Sequence, residues 1–215
     1  MPTLSEATSK RVLAEAGVPV LDERVVASAS EAGDAADALG YPVVAKLCGD
    51  AISHKTERGL VRLRLATREQ VEQAADELLA AARPEDGDVA VLVAPMVSGN
   101  RELIAGLHRD PQFGMTVMLG VGGVLAEAVK DVTFRLVPIE RVDAEEMIED
   151  LSMQALLGPF RGEAAVDRER LVAVLLGLSA AAQADPRIVS ADVNPLIVAA
   201  DGSVTAVDAL VEVAS

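Results

Sequence analysis

Strand-like and helix-like periodicities follow one another along this chain in irregular order, and that irregularity is the tightest constraint on its fold. A doubly wound parallel sheet needs strands and helices in alternation, because each crossover must return the chain to the same direction. Here helical patterns at Leu4–Ala16 and Glu31–Leu39 give way to strand patterns at 42–46 and 61–65, then a helix from Thr67 to Ala82 and a buried strand at 88–94. Ser5 and Ser30 are the expected N-caps of the first two helices, and Gly17 and Gly40 follow their ends. Val18-Pro19-Val20 reads as a short strand, and 48–59 as a polar loop. After Pro95 come two strands, 102–108 and 115–119, joined at Asp110-Pro111. A glycine-rich connection, Gly120-Val-Gly-Gly123, leads to a strand at 133–138, and helices return at 144–150, 153–157 and 168–184. The end is strand again: 188–193, then a hairpin-like pair, 196–199 and 204–207, around Asp201-Gly202. The expectation is an α+β fold in two lobes, 1–95 and 96–215, divided at Pro95.

Composition narrows the function. With 51% hydrophobic but only 2% aromatic residues, the core must be built from Ala, Val, Leu and Ile, and no row of rings is available to stack nucleobases. A formal charge of −15 repels a phosphate backbone, so nucleic acid is excluded as a partner. A single cysteine, Cys48, allows no disulfide within the chain. Neither a basic-plus-apolar leader nor a long apolar run is visible, so a cytoplasmic protein without a membrane span is expected. Lysine occurs only at 10, 46, 55 and 130 while arginine is used freely, which makes each lysine worth inspecting.

Few residues offer chemistry. Asn194 and Asp208 lie on the two arms of the last hairpin and carry hard oxygen donors suited to Mg²⁺. On spacing alone, a turn at Asn194-Pro195 and a solvated strand-end carboxylate at Asp208 is the commoner arrangement. Lys46 ends a Val-Val-Ala strand, where its ammonium can reach phosphates, although exposed strand-end lysines are more frequent. His54 sits with Lys55 in the polar loop, where an imidazole can act as nucleophile toward phosphorus, general base or hydrogen-bond donor. His108, in a strand pattern, reads as structural. Gly122 and Gly123 let backbone N–H groups approach an anion, though glycine clusters mostly mark turns. Glu102 faces either a cleft or solvent.

Seven short stretches then occur in a telling order: Leu39-Gly-Tyr-Pro-Val-Val-Ala-Lys46, Ser53-His-Lys-Thr56, Gly99-Asn-Arg-Glu102, His108-Arg-Asp-Pro-Gln-Phe-Gly114, Gly120-Val-Gly-Gly-Val124, Lys130-Asp-Val-Thr-Phe-Arg135 and Asp192-Val-Asn-Pro-Leu196. Together they resemble the ATP-grasp domain of the ADP-forming acyl-CoA synthetases, the acid:CoA ligases related to succinyl-CoA synthetase. The resemblance runs from residue 4 to the C-terminus. It implies an ATP-grasp fold with ATP or ADP in a cleft between two lobes. Asn194 and Asp208 then fall where the family holds Mg²⁺, Lys46 on the phosphate lysine, and Glu102 near the ribose. Val93, Ala94 and Met96 fall on the hinge strand beside adenine. His54 matches a histidine that accepts a phosphoryl group from a phosphohistidine on the CoA-binding part and passes it to ADP. One departure stands out: Ala94 and Pro95 occupy hinge positions where relatives often carry Gln or Glu, so base recognition would rest on backbone groups.

The resemblance also implies partners. No G-x-G-x-x-G fingerprint and no second large domain supplies CoA binding, so the expectation is a beta-type subunit in a hetero-oligomer, inactive without an alpha-type CoA-binding partner. Two other readings stand beside it. One is a non-catalytic nucleotide-sensing module that keeps the fold; the other is an ATP-grasp ligase joining a carboxylate to an amine.

Overall fold

The computed structural model describes residues 2–52, 58–123 and 129–214. The sequence positions form two compact units, Ser5–Ala7 with Leu21–Met96, and Met1–Leu4 with Thr8–Val20 and Val97–Ser215. A cut at Pro95 therefore falls within a residue or two of the observed division there, but most of the first twenty residues group with the C-terminal part. The reason is packing: Leu13 and Val18 belong to the core of that larger unit.

The smaller unit holds strands β1 (Arg24–Val26), β2 (Val43–Cys48), β3 (Val61–Leu65) and β4 (Ala90–Pro95) in the order β1-β4-β2-β3. All its pairings are antiparallel. Helices α2 (Ala29–Leu39) and α3 (Arg68–Ala80) bury Ala32, Ala36, Val71, Ala75 and Leu78 against Val43, Ala45, Leu47, Val91 and Val93 of the sheet. Burying each aliphatic side chain of that size stabilises by about 1.5–3 kcal/mol. The cap of α2 is Ser28, not Ser30: its hydroxyl accepts from the Glu31 amide, starting the helix two residues early. β1 has no periodic signature and forms because β4 offers it a partner edge.

In the larger unit, β5 (Arg101–Asp110), β6 (Gly114–Val121), β7 (Val132–Leu136), β8 (Ile188–Val198), β9 (Val204–Ala206) and β10 (Ala209–Val213) form a sheet ordered β10-β8-β5-β6-β7, with β9 on β8. These pairings are antiparallel too, as an α+β fold requires. Helix α4 (Arg141–Glu149), helix α5 (Arg168–Ala184) and the residues from Thr8 onward in α1 (Glu6–Glu15) cover one face. α5 matches its expected limits, since Asp167 caps it by accepting from the Arg170 amide. Gly177 lets α5 approach the turn after α1: a Cβ there would stand 2.7 Å from Val18 Cγ2. Gly120 and Val121 belong to β6 rather than to a loop, the 133–138 strand ends at Leu136, and 153–157 is a single 3-10 turn, Gln154–Leu156. Val18–Val20 makes only a bridge, Val20 to Ala206. Among the described residues no helix is long and apolar enough to cross a membrane.

Candidate functional site

The last hairpin is built more firmly than a turn at Asn194-Pro195 suggests. β8 continues through that dipeptide, whose peptide bond is cis, with a shift of its register against β5 there, because β5, β9 and β10 pair along its two edges. Val193 pairs with Ala209 on one side and Leu196 with Ala206 on the other, so Asn194 stands across the hairpin from Asp208. Ala191, Val193, Ala206 and Ala209 enter the core. Asp192 and Asn194 alternate with Ala191 and Val193 and take the opposite face, while Asp208 lies in the break between β9 and β10, just before the buried Ala209. Asn194 and Asp192 are exposed, and Asp208 is half-buried.

Asp192 escaped the sequence reading as a site residue. Although it keeps contact with solvent, desolvation and then the negative charge of Asp208 push its carboxyl above the usual range. Two carboxylates close enough to repel, beside an amide oxygen, make a negative patch of hard donors, which is what a hard divalent cation needs. Among the described residues no group of three or more His, Cys, Asp or Glu side chains could hold a metal unaided. The remaining donors would be water and phosphate oxygens, the usual situation for nucleotide-bound Mg²⁺. Beneath the hairpin, the buried Lys10 donates from Nζ to the Val207 carbonyl at 3.3 Å, and Ser9 Oγ accepts from the Val211 amide at 3.0 Å. Lys10 stood out only as one of few lysines; nothing local in the sequence joins it to residue 207.

On the same unit, Glu102 and the glycines come together. The Gly122 amide donates to the Glu102 carbonyl at 2.8 Å. A Cβ on Gly122 would lie 3.0 Å from the Leu103 carbonyl carbon, and Gly123, with φ of 68°, has Glu102 Oε2 3.3 Å from where its Cβ would stand. These residues line a cavity of about 170 Å³ with Asn100, Arg101, Val121 and Leu156. Its wall is fixed by Arg101, 3% exposed, which donates to the Leu156, Gly158 and Ala164 carbonyls and pairs with Glu163 at 3.2 Å.

In the smaller unit, Lys46 and Ala94 share one face of the sheet, because Val44 pairs with Ala94 and Lys46 with Leu92. Val93 points the other way into the core, so only its backbone is available to a ligand. β1 reaches no further along β4 than Val93. The Met96 amide is already donated to the Pro42 carbonyl at 2.9 Å. Lys46 is largely buried and its Nζ lies 2.6 Å from Glu6 Oε1. His54 lies outside the described residues.

Comparison with known proteins agrees with this architecture. A family model described as the ATP-grasp domain matches residues 2–213. The beta subunit of ADP-forming acetate–CoA ligase II from Pyrococcus furiosus is 38% identical over 177 residues, covering 81% of this chain and 75% of that one. For the beta subunit of ligase I from the same organism, identity is 36% over 209 residues, 96% of this chain and 90% of the relative. The solved dinucleotide-forming acetyl-coenzyme A synthetase 1 of Ca. Korarchaeum cryptofilum, with coenzyme A, Ca-AMPCP and HgCl⁺, superposes with a TM-score of 0.90 at 33% identity, covering 99% of this chain and 94% of that one. A second complex of it holds Mg-AMPPCP, with a phosphohistidine segment pointing towards the nucleotide binding site, and matches with a TM-score of 0.84 at 33% identity over 99% and 93% of the two chains.

Proposed function

The chain belongs to the ATP-grasp family, and from that premise we propose that it is the nucleotide-binding, beta-type subunit of an ADP-forming acid:CoA ligase. The observation that carries the reading is the opposition of Asn194 and Asp208 across a hairpin whose register is fixed on both sides. Phosphoryl transfer needs positioning and charge neutralisation more than covalent help. Mg²⁺ held by Asn194 and Asp208 supplies that neutralisation at the phosphates when bound. Lys46 adds a fixed positive charge, and Glu102, Gly122 and Gly123 contribute to the nucleotide pocket. The backbone of 93–96 borders the base.

His54 is the relay. A ring nitrogen attacks the phosphorus of a phosphohistidine carried by the alpha-type partner. The P–N bond to that partner histidine breaks as the bond to His54 forms. A terminal phosphate oxygen of ADP then attacks the same phosphorus, the P–N bond to His54 breaks and ATP forms; the other ring nitrogen of His54 keeps its proton throughout, so the ring leaves as neutral imidazole. The partner supplies CoA and the acid, so the functional assembly is a hetero-oligomer.

The test is to titrate the chain with Mg-ADP by calorimetry and to assay it alone for acyl-CoA from acid, ATP and CoA. Saturable Mg-ADP binding without acyl-CoA formation supports the reading. Acyl-CoA made by the chain alone contradicts it.

A further inference from the structure

β2 is buried along its whole length, yet it divides its side chains by parity. Val43, Ala45 and Leu47 enter the core under α2 and α3. Lys46 takes the other face, with Cys48, Leu92 and Ala94, where Ala7 and Leu21 pack. The segment Ser5–Ala7 clusters with this unit, and its backbone is tethered there, the Ser5 amide donating to Asp50 Oδ1 at 3.0 Å. Between Ser5 and Ala7 stands Glu6, its side chain 0% exposed, with Oε1 2.6 Å from Lys46 Nζ.

The asymmetry of this pair is informative. The carboxylate is wholly buried, whereas the lysine side chain keeps 11% of its surface open. An ion pair serving stability alone is readily replaced by apolar residues of similar volume, since two desolvated charges gain little net free energy. Here one partner bears the full burial, whereas the side chain of the other keeps part of its surface open. We propose that Glu6 is a positioning residue for nucleotide binding. It holds the Lys46 ammonium in one orientation for a phosphate of the nucleotide. This rests on Lys46 being the phosphate lysine of the proposed function. Without Glu6, the ammonium is no longer held in that orientation, and the attraction for phosphate falls while the base and ribose contacts stay as they were.

The experiment compares ADP with adenosine, both titrated into the full chain in the presence of Mg²⁺. The variants are Glu6→Gln, Glu6→Asp, Lys46→Met and the double change. Glu6→Gln is expected to weaken ADP binding about tenfold, leave adenosine unchanged, and have no further effect in the Lys46→Met background. Equal losses for ADP and adenosine, or an unchanged ADP affinity, overturn the proposal. If Lys46→Met binds ADP like the unaltered chain, it is the phosphate role of Lys46 that fails. If Glu6→Gln does not fold, as judged by circular dichroism, Glu6→Asp decides, since it keeps the charge but withdraws it by a methylene. A several-fold loss for ADP alone supports the proposal, and an unaltered ADP-to-adenosine ratio overturns it.

Discussion

Asn194 faces Asp208 across the C-terminal hairpin, held there by the Val193–Ala209 pair on one side and the Leu196–Ala206 pair on the other. Neither side chain enters the core, so both can be changed without opening a cavity. Asp208→Asn and Asn194→Ala are each expected to weaken Mg-ADP binding by about tenfold or more, roughly 1.4 kcal/mol, while ADP binding in EDTA stays as it was. Calorimetry with and without Mg²⁺ checks this. Equal losses in both conditions would mean that the pair shapes the pocket rather than holding the cation.

Gly122 tests the cavity beside Glu102. A Cβ there would meet backbone atoms of Glu102 and Leu103 at 3.0–3.1 Å, and backbone cannot move aside as a flexible side chain can. Gly122→Ala is expected to cost about 1–3 kcal/mol of stability and to weaken ADP binding as the strands part. Urea denaturation and calorimetry on one preparation report both effects.

Arg101 supports the same wall from inside. Its guanidinium serves three carbonyls and Glu163, whose other oxygen accepts from Asn100 Nδ2 at 2.5 Å. Arg101→Met strands these buried acceptors and is expected to cost about 3–5 kcal/mol in urea denaturation. Arg101→Lys should not restore the loss, because a point charge cannot span partners arranged for a planar fork.

Much of the fold was legible from periodicity, and α5 was legible to the residue, because a long apolar pattern with an acidic cap needs no distant partner. The misreadings share a cause. β8 crosses Asn194-Pro195 because strands on either side complete its ladder, and β1 and β10 exist through pairing that no local pattern announces. The candidate site follows the same rule. Asn194, Asp208, Lys46 and Glu102 were visible as residue types in a familiar order. Glu6 beside Lys46, Lys10 beneath Val207 and Asp192 near Asp208 depend on chain segments brought together by the fold.

Acid titration offers an independent check of the smaller unit. Arg58 grips Asp86 through two hydrogen bonds, 2.7 and 2.8 Å, and with the Arg83 amide holds its carboxyl down to about 2. A folded-state value below the unfolded one gives stability that is complete above the unfolded value and is lost as pH falls through the folded one. The contribution should therefore be intact above about pH 4 and disappear toward about pH 2. Asp86→Asn is expected to lower stability at neutral pH and to flatten this acid limb, as followed by denaturation midpoints across the range. An unchanged acid limb would show that Asp86 is not linked to folding.

The central claim is a phosphoryl relay through this chain, and the most direct measurement is label transfer. The chain and its alpha-type partner are incubated with ATP radiolabelled at the γ-phosphate, using the unaltered protein and His54→Ala in parallel. Acid-labile label on this chain that vanishes in His54→Ala is the predicted result. Label that persists in the variant contradicts the role of His54, and no label in either chain contradicts the relay and leaves a nucleotide-sensing module as the better account.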